Sequence, residues 1–292
     1  MILSEAEFHN ASTLEQAAEL IGRWGKQALF LAGGTSLLVD LKSDRYRARH
    51  VISLTRIAAL RGIAPADDGV RIGALATLDE VATSALVREE CLVVQDAARE
   101  MASPQVRNLA TVGGNIVGAV PCADLPPVLA VSNATLNLWS PSGVRNMPIE
   151  DFFVGSRQTV RRDDEVLTEV LVPGSPAGFG AGYARFGLRQ ANSVAVAAVA
   201  ASLQLNADGS VARVRVCLSA VAAKPTLVPD AHSVLAGKVL NENGLERAAQ
   251  AAMAAALPIT DLRGSDVYRR ELVGTLTRRA LLTAQARARG EK

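Results

Sequence analysis

Two short stretches pair glycines with hydroxyl and amide side chains: Leu31-Ala-Gly-Gly-Thr-Ser-Leu-Leu38 and Ala110-Thr-Val-Gly-Gly-Asn115. Consecutive glycines lack Cβ atoms, so their backbone N–H groups can converge on an anion and their φ can turn positive. Thr35, Ser36, Thr111 and Asn115 would add side-chain hydrogen bonds. Two such loops in one chain suit a pyrophosphate held from both sides. Neither follows G-x-G-x-x-G, because Thr35 and Leu38 break that spacing after Gly33, which disfavours a nicotinamide-binding Rossmann site. Taken singly, each pair also reads as a plain tight turn. Asp124 reads either as a helix N-cap before Leu125-Pro126-Pro127 or as an acceptor for a ribose hydroxyl.

Other chemistries are excluded by what the chain lacks. Cys91, Cys122 and Cys217 are widely spaced and form no C-x-x-C pair, so neither a disulfide framework nor an iron–sulfur site is encoded. His9, His50 and His232 never fall at i, i+4 spacing, which rules out a zinc helix. There is no G-x-S-x-G elbow and no G-x-x-x-x-G-K-S/T loop. Any redox or transfer chemistry must therefore be carried by a bound cofactor.

The 292 residues correspond to about two domains at roughly 150 residues each. A hydrophobic content of 49% with 21% charged residues supplies a real core. A net charge of +2 is too balanced to point to nucleic acid. The longest apolar run, 194–203, is well short of the roughly 20 residues that span a bilayer. Residues 1–10 carry Glu5 and Glu7 and do not resemble a signal peptide, so a cytoplasmic location is expected. Within 263–292, eight basic residues face three acidic ones. We read these as the solvated face of a helix; the other reading is a face that docks a partner.

The elements that must hold the loops divide into three regions. In 1–55, Ser12-Thr-Leu-Glu15 reads as a capping box, 28–32 as a buried strand ending at Gly33-Gly34, and 50–54 as another strand. In 56–173, 69–75 is a strand and Thr77-Leu-Asp-Glu80 a second capping box, followed by a helix over 89–101 that stops at Ser103-Pro104. A Gly-rich loop over 105–115, a helical turn over 124–131, a hairpin of 134–140 with 144–148, and a strand over 165–172 complete it. Glycines and prolines in 173–182 suggest a linker into 174–292. That last region reads as strands followed by helices over 243–256 and 267–289, an α+β domain with one sheet face covered.

The order Ala32-Gly-Gly-Thr-Ser-Leu37, Ser103-Pro-Gln-Val-Arg107, Thr111-Val-Gly-Gly-Asn115 and Ala123-Asp124 resembles the FAD-binding medium subunit of molybdenum hydroxylases. This is the xanthine dehydrogenase and aerobic carbon monoxide dehydrogenase group. The likeness continues through Glu165-Val-Leu-Thr-Glu-Val-Leu-Val-Pro173 and Tyr268-Arg-Arg-Glu-Leu-Val-Gly274, so it spans nearly the whole chain. The resemblance implies an α+β fold: a two-part FAD-binding domain of the vanillyl-alcohol oxidase (PCMH) type, then a smaller α+β C-terminal domain. It implies that Leu31, Ala32, Gly33, Gly34, Thr35, Ser36 and Leu37 wrap one side of the pyrophosphate. Ala102, Thr111, Gly114, Asn115 and Asp124 would serve the other side with the ribityl and adenosine parts, and Leu167 would touch a ring edge.

By the same resemblance, electrons reach FAD from two 2Fe-2S clusters on a small subunit, after substrate oxidation at a molybdenum cofactor on a large subunit. They leave to NAD, oxygen or another acceptor, within a dimer of heterotrimers. Met101 stands where relatives often place an aromatic, and no lysine lies between Tyr183 and Asn192. Arg185 or Arg189 would then supply the positive charge beside reduced flavin; both also read as solvated surface. No cysteine-rich insertion of the benzoyl-CoA reductase type is present. The alternatives are a stand-alone FAD-dependent oxidoreductase of the same fold and a non-catalytic assembly subunit whose glycine loops are turns.

Overall fold

The computed structural model describes residues 6–291. Met1–Glu5, half of the stretch read as lacking a signal peptide, and Lys292 of the basic C-terminal run lie outside them. Three strands, β1 (Glu7–Asn10), β2 (Ala28–Leu31) and β3 (His50–Ser53), form a parallel sheet in the order β1-β3-β2. Adjacent side chains of a strand point to opposite faces. Ile52 therefore packs with Ala17 and Ile21 of the helix Leu14–Trp24, while Val51 packs with Leu41 of the helix Leu37–Lys42. The first helix is capped one residue later than Ser12-Thr-Leu-Glu15 suggests. Thr13 is extended and its side chain accepts from the Gln16 N–H at 3.1 Å, while the Ser12 N–H donates to Gln16 Oε1 at 2.8 Å.

The second sheet is antiparallel and is completed from both ends of its sequence. Strands β4 (Ile63–Ala66), β5 (Gly69–Gly73), β6 (Thr135–Ser140) and β7 (Gly143–Pro148) come first. After a small ribbon of β8 (Phe153–Gly155) and β9 (Gln158–Thr159) comes β10 (Val166–Val172), giving the order β4-β5-β10-β6-β7. Helices between 78 and 131 cover this sheet with Leu125, Val128 and Leu129 fully buried. The Thr77 capping box forms in full: Glu80 N–H donates to Thr77 Oγ1 at 3.1 Å and Thr77 N–H to Glu80 Oε2 at 2.6 Å.

Two expectations change here. The helix over 89–101 is broken at Cys91, whose φ of −153° separates Ala85–Glu90 from Leu92–Glu100. The loop over 105–115 contains two short helices, Pro104–Arg107 and Val112–Val117. Ser103 caps the first and Pro104 occupies its opening turn, where the missing N–H costs nothing. The dipeptide read as a stop is also a start.

The third sheet runs β11 (Phe179–Gly187), β12 (Ala195–Leu205), β13 (Val211–Ser219) and β14 (Thr226–Leu227) in that order. Both of its faces are covered, not one. Ala197, Val199, Ala201 and Leu203 meet the helices Glu242–Ala255 and Asp266–Ala288, while Ala200 and Cys217 join the core of the second sheet's helices. An unbroken apolar strand is what burial on both faces requires. Strand β11 begins inside the stretch expected to be linker. A Cβ at Gly180 would lie 2.1 Å from Ala284 O, and one at Gly182 would lie 2.4 Å from Ala280 O. Those glycines mark a helix packed on strand backbone.

The C-terminal helix is also less solvated than expected. Arg269 is 1% exposed, with its guanidinium on Asp261 and the Ala220 carbonyl. Arg287 bonds Asp96 at 2.6 Å, and Arg278 pairs with Glu242 and Glu246.

Gly22, inside the first helix, has open space where a Cβ would stand. Gly22→Ala is expected to stabilise the chain by about 0.5–1 kcal/mol, read as a raised denaturation midpoint.

Candidate functional site

A cavity of about 380 Å³ opens at the carboxyl ends of the parallel strands. Its walls are the turn after β2, the ends of β3 and β5, the 110–120 segment and the approach to β10. Gly33 permits this arrangement because its missing Cβ would stand 1.8 Å from Leu109 O. The two glycine loops thus touch backbone to backbone. Gly34 takes a φ of +75°, which turns the chain into the helix Leu37–Lys42.

The two loops do different work. Among the described residues, the N–H groups of Gly33, Gly34, Thr35 and Ser36 have no hydrogen-bond acceptor. In the second loop the N–H groups are spent on the protein. Val112 donates to Ala76 O at 2.9 Å, Gly113 to Ala74 O at 2.8 Å and Gly114 to Thr111 Oγ1 at 3.1 Å. Gly113 is there because a Cβ would meet Ala74 at 2.8 Å. The expectation that both loops aim free N–H groups at one anion is corrected on this point. What the second loop offers is side chain. Asn115 Oδ1 is buried without a partner, while Nδ2 contacts Met101 Sδ at 3.7 Å. An orphaned buried acceptor calls for a donor from a ligand.

Four groups that sequence reasoning missed, Asp40, Arg157, Arg161 and Glu165, complete the cavity wall. Asp40 is buried and holds Arg157 at 2.8 Å and Arg45 at 2.9 Å, so its one negative charge faces two cations. Arg161 donates to the Glu165 carbonyl at 2.7 Å, and burial pushes its guanidinium below the ordinary arginine range. Glu165 is buried under a bidentate bond from Arg145 at 2.9 and 2.8 Å, plus the Arg162 N–H at 2.7 Å. Burial pushes the Glu165 carboxyl up, but these hydrogen bonds outweigh it and hold it below the usual range. The pair fixes the entry to β10 and hence Leu167. Arginines in a loop read as solvent-facing, so only their clustering at 157, 161 and 162 could have flagged them.

Ala32, Gly33, Gly34, Thr35, Ser36, Leu37, Thr111, Gly114, Asn115 and Leu167 all line this cavity. Leu31, Ala102 and Asp124 lie outside it. Leu31 packs with Leu41 and Val51, and Ala102 sits at a φ of +51°, strained for a residue with a Cβ. Asp124 precedes the helix Leu125–Val131 without capping it. Its buried carboxylate accepts from the Tyr183 hydroxyl at 2.6 Å and pairs with Arg185 Nε at 3.3 Å. Burial pushes Asp124 above the usual carboxylate range, against the pull of Arg185 and Tyr183. Burial, with Asp124 beside it, pushes Tyr183 well above the ordinary phenol range. Arg185 is therefore a tied internal cation that also donates to the Glu100 carbonyl at 2.8 Å, whereas Arg189 is exposed and bonds Asn192 O.

Residues 4–175 match the FAD binding domain in molybdopterin dehydrogenase, and residues 183–284 match the CO dehydrogenase flavoprotein C-terminal domain. The chain belongs to the FAD-binding subunits of the molybdenum hydroxylases. It is 33% identical over 287 residues to the carbon monoxide dehydrogenase medium chain of Hydrogenophaga pseudoflava, covering 98% of this chain and 99% of that one. It is 31% identical to the xanthine dehydrogenase FAD-binding subunit of Escherichia coli O157:H7, covering 98% of each. A solved carbon monoxide dehydrogenase from H. pseudoflava superimposes with a TM-score of 0.95, at 33% identity over 98% of this chain and 99% of that one. Quinoline 2-oxidoreductase from Pseudomonas putida 86 gives 0.92 at 26% identity, over 99% of both chains.

Membership makes this an oxidoreductase subunit that binds FAD, with the α+β architecture expected: a PCMH-type FAD-binding domain and a flavoprotein C-terminal domain. The residues present fit the cofactor. A turn of free N–H groups, the cation Arg157 and the orphaned Asn115 acceptor together suit a diphosphate with hydroxyl and amide donors attached.

Proposed function

We propose that the chain is the FAD-carrying electron-transfer subunit of a heterotrimeric molybdenum hydroxylase, working in the cytoplasm as part of a dimer of heterotrimers. Its partners are a large subunit with the molybdenum cofactor and a small subunit with two 2Fe-2S clusters. The substrate class we favour is an N-heterocycle such as a purine. Xanthine and quinoline, for which two relatives are named, are of that class. Among the described residues no helix is long and apolar enough to cross a membrane.

FAD, when bound, supplies the redox chemistry, taking electrons from the clusters and passing them to NAD, oxygen or another acceptor. The chain's own residues hold and tune it. Gly33, Gly34, Thr35 and Ser36 would donate to the diphosphate, and Arg157, held in place by its ion pair with Asp40, would offset its charge. Asn115 accepts from a cofactor hydroxyl or amide, and Leu167 supplies an apolar contact at the ring edge. We assign Ala102 and Asp124 to the far end of the same cofactor and divide the chain at 1–55, 56–173 and 174–292.

The observation that carries this reading is the end-to-end likeness to medium chains of multi-subunit dehydrogenases, with the free N–H turn at its centre. The test is to co-express the chain with its neighbouring subunits, identify the released cofactor and count metals. FAD with molybdenum and about four irons per trimer is the expected result. FAD on a chain that purifies without metal partners and turns over a substrate would make it a stand-alone flavoenzyme. No flavin under either condition would sink the proposal.

A further inference from the structure

At the opposite end of the parallel sheet, three side chains converge that the flavin site does not use. Strand β1 carries Glu7 and His9 two residues apart, on one face, and the register sets Glu7 beside His50 of β3. His9 Nε2 and His50 Nδ1 are 3.2 Å apart, and Glu7 Oε2 lies 3.8 Å from the first and 3.5 Å from the second. Ligands placed tetrahedrally at about 2.0–2.1 Å from zinc stand roughly 3.3 Å from one another. The three atoms therefore already outline one face of such a site.

The indole of Trp24 stacks on His50, at 4.1 Å with an 11° tilt, and packs at 4.2 Å from His9 with the rings tilted by 33°. It restrains the two imidazoles in this convergence. A direct hydrogen bond between the rings accounts for one edge of the triangle. It leaves Glu7 near both nitrogens yet too far to bond well with either. A divalent cation satisfies all three atoms at once. The imidazoles are largely covered, with side chains 24% and 14% exposed, and Glu7 is 73% exposed. A cation here would keep one position open to water.

We propose that Glu7, His9 and His50 form a zinc site that pins the first strand to β3. Two imidazoles and one carboxylate are a ligand set of the borderline kind zinc prefers. Glu7 and His50 stand at the amino ends of β1 and β3, and none of the three side chains lines the flavin cavity. Zinc occupancy and flavin content are therefore separate readouts.

The experiment uses tag-free, chelator-treated, flavin-loaded protein titrated with zinc chloride by calorimetry, with anomalous diffraction at the zinc edge. One zinc per chain is expected, with the anomalous peak among these three side chains. His9→Gln and His50→Gln should each weaken binding by on the order of 100-fold, and Glu7→Gln by about 10-fold, while flavin per chain stays constant. His232→Gln, in a distant helix, should change nothing. Zinc should also raise the wild-type melting temperature but not that of His9→Gln. No stoichiometric uptake, uptake surviving in both histidine variants, or a peak elsewhere overturns the site. Should a histidine variant fail to fold, Glu7→Gln and the wild-type anomalous peak still decide.

Discussion

Gly33→Ala is expected to strip most of the flavin from the purified chain. The added methyl would stand 1.8 Å from Leu109 O, a contact with backbone that no rotamer change can relieve. Either the 31–37 turn or the 105–110 segment must move by more than an ångström. Overpacking of this kind typically costs about 1–3 kcal/mol, and a rigid carbonyl puts this case at the upper end. The turn that moves is also the one with the free N–H groups, so the cost falls on the cofactor-holding geometry. Near 3 kcal/mol, flavin affinity drops by about two orders of magnitude. The ratio of flavin to protein absorbance after gel filtration reads this directly. Gly22→Ala is the control, since the same chemical change meets empty space there. Full flavin content and an unchanged melting temperature in Gly33→Ala would mean that the loops do not meet as described.

Asp261→Ala is expected to cost about 3–5 kcal/mol, because it leaves the almost fully covered Arg269 cation without its counter-charge. Arg269 would retain only the 3.4 Å bond to the Ala220 carbonyl, and its Nε already lacks a partner. Arg269→Met should be far milder, since it removes the buried charge together with the need for a partner. Asp261 then keeps Arg263, which bonds it at 2.7 and 3.1 Å. Denaturant unfolding of the two variants should therefore separate them widely.

The pH dependence follows from the same group. Hydrogen bonds from Arg263, joined by Arg269, hold the Asp261 carboxyl well below the ordinary range. Its folded value being depressed, its contribution is fully present above the unfolded value of about 3.9. That contribution fades as pH falls towards the folded value. Stability curves of wild type and Asp261→Ala should run parallel from pH 8 to 5 and converge in stronger acid.

Much of the site was legible because local chemistry dictated it. The 31–37 segment follows an apolar strand and precedes a helix, so the turn at Gly33 and Gly34 could be placed from neighbours alone. Thr77 and Glu80 cap as their spacing requires. Gly113 and Gly114 look equivalent to the first pair in sequence, yet their N–H groups are taken by Ala74 O and Thr111 Oγ1. The first of these partners is an acceptor that only the folded chain brings near. Arg157 and Arg161 enter the cavity through Asp40 and the carbonyl of Glu165, again a tertiary matter. Arg269 is hidden for the same reason, because the carboxylate that admits it to the interior is eight residues upstream on a different element. Gly180 and Gly182 fall in the stretch whose composition suggested a linker, whereas they lie within β11 with the helix Asp266–Ala288 packed across them.

The strand order β4-β5-β10-β6-β7 has a consequence for biosynthesis. A ribosome delivers two separate ribbons first, β4 with β5 and β6 with β7, each with an edge awaiting a neighbour. The strand that joins them is translated last and must slot between edges already made, reaching back to pair Glu169 with Gly73. Pairings so remote along the chain close slowly, and the waiting edges are open to wrong neighbours meanwhile. Leu167 travels on that last strand, so the nascent chain has no finished pocket until the wedge is home. The part of the cavity wall that Leu167 lines is thus among the last pieces of the second sheet to be put in place.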